Sequence, residues 1–175
     1  MTEKLTVNCE VVCDDKKEHR FLSKRIWDKT LPAVCVVTLN PSSCNPFETD
    51  LTTMLILNNV YRLGGIGGVY FVNLFSKVTT KLSSEGYSEE KTFYEKNFKC
   101  MADTAKICDK VIIAWGSAGK TNKKVQERES EVLDLLGQYP EKLFVIANET
   151  GNVGIHPLHP SVRAKWILQK HTNLQ

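Results

Sequence analysis

The sequence predicts an α/β domain, a three-layer sandwich with a mainly parallel central sheet, preceded by an N-terminal β-hairpin. Three observations carry this. Short apolar runs rich in β-branched residues recur at 33–39 (AVCVVTL), 69–75 (VYFVNLF), 111–115 and 143–147 (LFVIA), as expected of strands covered on both faces. Segments with helical spacing separate them, at 50–63, 88–108 and 120–136. Strand alternating with helix is the order that right-handed crossovers between parallel strands require.

The elements follow in order. Residues 5–12 and 20–27 alternate apolar and polar positions around the polar stretch 14–18, which reads as a hairpin at one sheet edge. Residues 33–39 form the first central strand. The helix over 50–63 stops at Gly64-Gly65. In 88–108, Tyr94, Phe98, Met101, Ala105 and Cys108 recur at helical offsets, with Ser88 as the expected N-cap. The helix over 120–136 is charged, amphipathic and ends at Gly137. At 175 residues, with no internal repeat or long linker, the chain reads as one domain over 1–175.

Composition narrows the class. Hydrophobic residues make up 42% and charged residues 25%, which suits a globular domain able to bury a core. No apolar run is long enough to span a bilayer, and the opening MTEKLTVNCE lacks a signal-peptide core, so a cytoplasmic protein with no membrane partner is expected. The six scattered cysteines then read as reduced thiols, most of them small core residues. The net charge of +3 does not by itself name a partner, but residues 150–175 contain no Asp or Glu and hold Arg163, Lys165, Lys170 and three of the four histidines. This end suits phosphate, or is a short solvated basic tail.

In parallel sheets, ligands bind beyond the carboxyl ends of the strands, so the loops after Leu39, Phe75, Trp115 and Ala147 are the places to look. The first reads Asn40-Pro41-Ser42-Ser43-Cys44-Asn45-Pro46-Phe47. Proline restrains the preceding residue to extended geometry, which would hold the Asn40 amide at the strand tip, projecting into the cleft to orient water or substrate; the same residues also make ordinary turns. Asn73 interrupts an apolar strand at its carboxyl end. Its amide could read the O4 and N3–H edge of uracil, or bond to neighbouring backbone. His156-Pro157-Leu158-His159-Pro160-Ser161 brackets two imidazoles with prolines on a stiff backbone.

Three alternatives fail on spacing. The stretch 114–121 ends in GKT, but Ala114 stands where a phosphate loop needs its first glycine, and Asn148 rather than an acidic residue follows the later strand. Gly116 and Lys120 still offer backbone N–H groups and a cation at a helix start, suited to a phosphate. No CxxC or HxxxH pattern supports zinc, and the C-x3-C and C-x7-C spacings are not a ferredoxin run. Neither a metal nor a cofactor is expected.

Taken in order, LNPS at 39–42, GGVYFVNLF at 67–75, IIAWG at 112–116 and HPL at 156–158 resemble a domain-of-unknown-function family of bacterial genomes and mobile elements. The same order is similar to the uracil-DNA glycosylase superfamily. That resemblance implies hydrolysis of the N-glycosidic bond of deoxyuridine in DNA, a repair activity, by a monomer. It puts Asn40 and His156 in catalytic positions, with Asn40-Pro41 as in the mismatch-specific branch. Asn73 falls on the uracil-reading asparagine, with Pro41, Ser42 and Phe47 beside the substrate and Phe47 the nearest stacking aromatic. Read without a gap, His156 takes the histidine position and Ser161 a serine position; a register shifted by three puts His159-Pro160-Ser161 there instead. Gly116, Lys120, His159, Ser161 and Arg163 then face DNA. The departures are Asn40 in place of a water-activating Asp, Pro160 in place of an intercalating leucine, and the added hairpin. A non-catalytic single-strand-binding module of the same fold is the competing reading.

Overall fold

The computed structural model describes residues 1–79 and 90–172. The hairpin is present as β1 (Asn8–Cys13) and β2 (Arg20–Ile26), antiparallel, with Asn8 opposite Ile26. β1 begins three residues later than the alternation suggests. Next come β3 (Ala33–Thr38), α1 (Leu51–Leu63), β4 (Gly68–Asn73), α2 (Lys91–Ile107), β5 (Lys110–Ile113), α3 (Lys123–Leu136), β6 (Leu143–Ala147) and β7 (Ile167–Lys170). The expected N-cap at Ser88 lies outside the described residues. The helix expected from residue 120 starts at Lys123, capped by the Asn122 side chain, after a 3-10 turn at Ala118–Lys120.

The seven strands form one sheet in the order β1-β2-β4-β3-β5-β6-β7. Its central four, β4-β3-β5-β6, run parallel, but β1, β2 and β7 add antiparallel pairings, so the sheet is mixed rather than mainly parallel. Two features cause this. The hairpin docks its second strand directly on β4, and the short β7 returns against β6.

Side chains alternate between the two faces of the sheet, which gives two cores. On one face Cys35, Val37, Val72, Val111, Ile113 and Leu143 meet Met101 and Ala105 of α2 and Val125, Val132 and Leu136 of α3. On the other, Val34, Val36, Phe71, Ile112 and Ile146 meet Ile56 and Val60 of α1 with Val162 and Trp166 of the C-terminal segment. The layers are therefore helix, sheet, helix. Each fully buried aliphatic side chain contributes roughly 1.5–3 kcal/mol, which makes these two seams the main source of stability.

Polar side chains fasten the layers. Arg128 on α3 donates to the Leu74 carbonyl at 2.7 Å, and its guanidinium lies over the rings of Phe75, Tyr94 and Phe98. Lys142 donates to the carbonyls of Ala105, Lys106 and Cys108, capping the end of α2 with positive charge where the helix dipole is negative.

The expectation of six reduced thiols is corrected. Cys13 and Cys44 form a disulfide, because the β1 end and the loop after β3 converge at the same corner; Cys9, Cys35, Cys100 and Cys108 are free. Among the described residues, no helix is long and apolar enough to cross a membrane.

Candidate functional site at the strand ends

The carboxyl ends of β3, β4 and β5 carry a polar cluster built from five segments. Thr38 and Asn73 are register partners on adjacent parallel strands, which sets their side chains next to each other. Asn73 donates through Nδ2 to Thr38 Oγ1 at 2.5 Å and accepts a long hydrogen bond, 3.4 Å, from Arg20 at the start of β2. It is 1% exposed. Both ends of its amide are therefore engaged inside the protein, as buried amides generally are.

Arg20 also donates to the Ser43 carbonyl, while its Nε finds no partner among the described residues. Burial draws its pKa down to about 10, against the favourable charge of Asp50, so the guanidinium remains cationic at neutral pH. The hairpin thus brings a positive charge to the strand ends that motif spacing alone does not reveal.

Asp50 caps α1, accepting from the Thr53 N–H at 2.7 Å, and also accepts from the Ser42 hydroxyl. Burial acts to raise its pKa, but hydrogen bonds from Ser42 and Thr53 and the charge of Arg20 outweigh it and leave the carboxyl below its ordinary value. Asp50 is an ionised carboxylate at the centre of the cluster. In the sequence Asp50 is only the first residue of the helical segment 50–63.

Asn40 is half-buried. Its Nδ2 donates to the Thr79 carbonyl at 2.6 Å and to the Pro41 carbonyl at 3.3 Å, so the amide nitrogen ties down the loop after β4 instead of projecting into the cleft. The Asn40 Oδ1 accepts no hydrogen bond from the described residues. Pro41 is buried and Ser42 half-buried.

His156 comes to the same rim. Its Nδ1 accepts the Leu158 N–H at 3.2 Å, which assigns the proton of the neutral ring to Nε2. Burial lowers its pKa, opposed by the negative charge of Asp50. At neutral pH the ring is uncharged and presents an N–H donor. Gly116, with φ +77°, is pressed against it: an added Cβ would lie 2.7 Å from His156 Cβ. A bare backbone at this turn is what gives the imidazole its place.

The other expected residues are spread around the rim. His159 is exposed and caps a short 3-10 turn at Pro160–Val162, with Nδ1 bonded to Ser161. Ser161 is exposed and accepts from Asn148 Nδ2, and Arg163 donates to the Leu158 carbonyl at 2.6 Å. Lys120 is exposed, but the phosphate-suited N–H of the same turn is already used: Glu129 Oε1 accepts from Gly119 N. Phe47 is 92% exposed, so it walls no pocket. The cluster thus unites Arg20, Asn40, Ser42, Asp50, Asn73 and His156, and leaves Phe47, His159, Ser161, Arg163 and Lys120 on the outside.

The residues of this cluster, from Arg20 in β2 to His156 beyond β6, all lie within a family match over residues 20–161, described as a protein of unknown function, DUF1643. The chain belongs to the DUF1643 family. No curated protein and no solved structure matches it. Within this DUF1643 domain the matched residues include Arg20, Asp50 and His156, and exclude β1 and β7.

Proposed function

We propose that this protein is a uracil-DNA glycosylase with a glycosylase-like version of the three-layer fold. In this reading it is a monomer that hydrolyses the N-glycosidic bond of deoxyuridine, with no metal or cofactor. The observation that carries the reading is His156: a half-buried, neutral imidazole with its proton on Nε2, within the field of the ionised Asp50 carboxylate.

Cleavage sends the electron pair of the C1′–N1 bond onto the base and leaves a cationic sugar; water then bonds to C1′ and its proton passes to the uracil anion, which leaves as neutral uracil. A preorganised donor aimed at the O2 of the departing uracil lowers the barrier to this separation. His156 Nε2–H is that donor. Asn40, fixed through its nitrogen, offers Oδ1 to orient the water, and Asp50 supplies negative charge toward the sugar cation. The target base must leave its stack, which is least costly in single strands. With Pro160 rather than a leucine wedge, single-stranded uracil is the preferred substrate; equal or faster cleavage of a matched U·A duplex would contradict this. His156→Ala should abolish base release while His159→Ala retains most of it, each with its melting transition intact.

A second reading, a non-catalytic single-strand-binding module, is favoured by one specific observation. Asn73, the base reader of the glycosylase reading, is buried with its amide engaged by Thr38 and Arg20, so reading a base requires the long Arg20 bond to yield. Such a module would bind uracil and thymine oligonucleotides alike and release no base.

A further inference from the structure

We propose that the Phe47 ring is an external stacking platform for an unpaired base of single-stranded DNA, presented by a loop that the Cys13–Cys44 disulfide anchors to the hairpin. The proposal rests on the DNA reading of the neighbouring site, but it does not need base release. Phe47 is an aromatic side chain left 92% exposed at a loop tip. Its loop is nonetheless held in place. Cys44, three residues before it, is bonded to Cys13, and Asn45 Oδ1 accepts the Phe47 N–H at 3.0 Å. The Asn45 N–H is bonded to Ser43 Oγ at 2.9 Å, and Ser43 in turn to Glu48. Pro46 fixes a further backbone angle. A ring presented on an ordered loop loses little conformational freedom when a ligand covers it, which is the condition for a binding anchor.

The position selects the ligand. The loop leaves the end of β3 and ends at Asp50, so Phe47 stands three residues along the chain from the carboxylate whose charge acts on both Arg20 and His156. Lys120 and Arg163 are exposed on other loops at this end of the sheet and suit a phosphate backbone. A base stacks on an aromatic ring through its face, and only an unpaired strand offers a free face.

The test is fluorescence anisotropy with a labelled, uracil-free oligothymidine of about 15 nucleotides, a length that spans one small binding site. Oxidised wild type is compared with Phe47→Ala, Phe47→Trp, Cys44→Ser and the Phe47→Ala/Cys44→Ser pair. Phe47→Ala should weaken binding by about five- to a hundredfold, the range for loss of one base–aromatic stack. Phe47→Trp should retain affinity, with its fluorescence quenched by the oligonucleotide. Cys44→Ser should weaken binding less, and the pair should bind no more weakly than Phe47→Ala alone, because the disulfide acts through the ring. Phe47 is solvated, so its replacement leaves folding intact. Wild-type affinity in Phe47→Ala, an equal Phe47→Ala effect on a duplex of the same length, or no binding by the wild type would each overturn the proposal. A uracil-cleavage assay run beside it separates the two claims. Base release with no Phe47 effect removes the platform alone, and a Phe47 effect with no base release removes the glycosylase reading alone.

Discussion

Replacing Gly116 by alanine probes how the end of β5 seats His156. Gly116 has φ +77°, and its new Cβ would lie 2.7 Å from His156 Cβ and 3.3 Å from Cγ. Carbon atoms rest at about 3.5–4.0 Å, so the imidazole must retreat by roughly 1 Å. The left-handed backbone adds about 1–2 kcal/mol of strain for any L side chain. Gly151 separates these two effects: its φ is +84°, yet none of the described residues lies within 4 Å of an added Cβ, so Gly151→Ala carries the strain alone. In a chain of this size each kcal/mol lowers Tm by about 2–4 °C. Gly151→Ala should therefore melt a few degrees below wild type, and Gly116→Ala lower still. A displacement of about 1 Å at a reacting group costs on the order of a hundredfold in rate, so uracil release should fall by that factor in Gly116→Ala and stay near wild type in Gly151→Ala. Thermal unfolding gives the first comparison. Imidazole 15N spectra give the second, because loss of the Leu158 N–H bond to Nδ1 shifts the ring signals. Equal melting of the two variants with unmoved His156 signals would refute the reasoning.

Two further predictions concern histidine titration and the Asn73 amide. His156 and His171 both titrate below the ordinary histidine value because burial penalises the charged ring. The unfolded chain therefore binds protons near pH ~6.5 that the folded chain refuses, so stability should decline as pH falls from about 6.5 toward the folded values. His156→Asn should flatten that decline, and a Tm profile unchanged by the substitution would remove His156 from it. Asn73→Leu should lose about 2–5 kcal/mol by stranding Thr38 and Arg20, whereas Asn73→Asp, which can still accept from both, should be at least ~1 kcal/mol more stable than Asn73→Leu. Equal denaturant midpoints for the two would show that these hydrogen bonds are not what secures the strand ends.

The fold was legible where periodicity is strong. LFVIA at 143–147 is β6 with the expected bounds, and the hairpin, the three helices and the central strands all stand close to where spacing puts them. β7 escaped notice because ILQK is a four-residue, mostly exposed edge strand with one half-buried position, too short to show a period. The Cys13–Cys44 pair joins residues 31 apart and depends on where the hairpin docks, which no local pattern records. The site divides in the same way. Asn73 was visible as a polar residue closing a strand and His156 as an imidazole on a proline-stiffened segment, but their partners were not. Arg20 reaches Asn73 only because β2 pairs antiparallel with β4, and Asp50 looks from sequence like any helix N-cap. A cue was available for both: a charged residue at the first position of a strand and a carboxylate closing the first loop each lie at the end of the sheet where ligands bind.

Glycosylase activity is read out by incubating the protein with a labelled single-stranded oligonucleotide carrying one uracil, then cleaving with alkali and resolving the products, beside a thymine control and the His156→Ala variant. The predicted result is a break at the uracil, absent from the thymine strand and lost in His156→Ala. No break at high protein concentration while the oligonucleotide stays bound, or an equal break by His156→Ala, would contradict it.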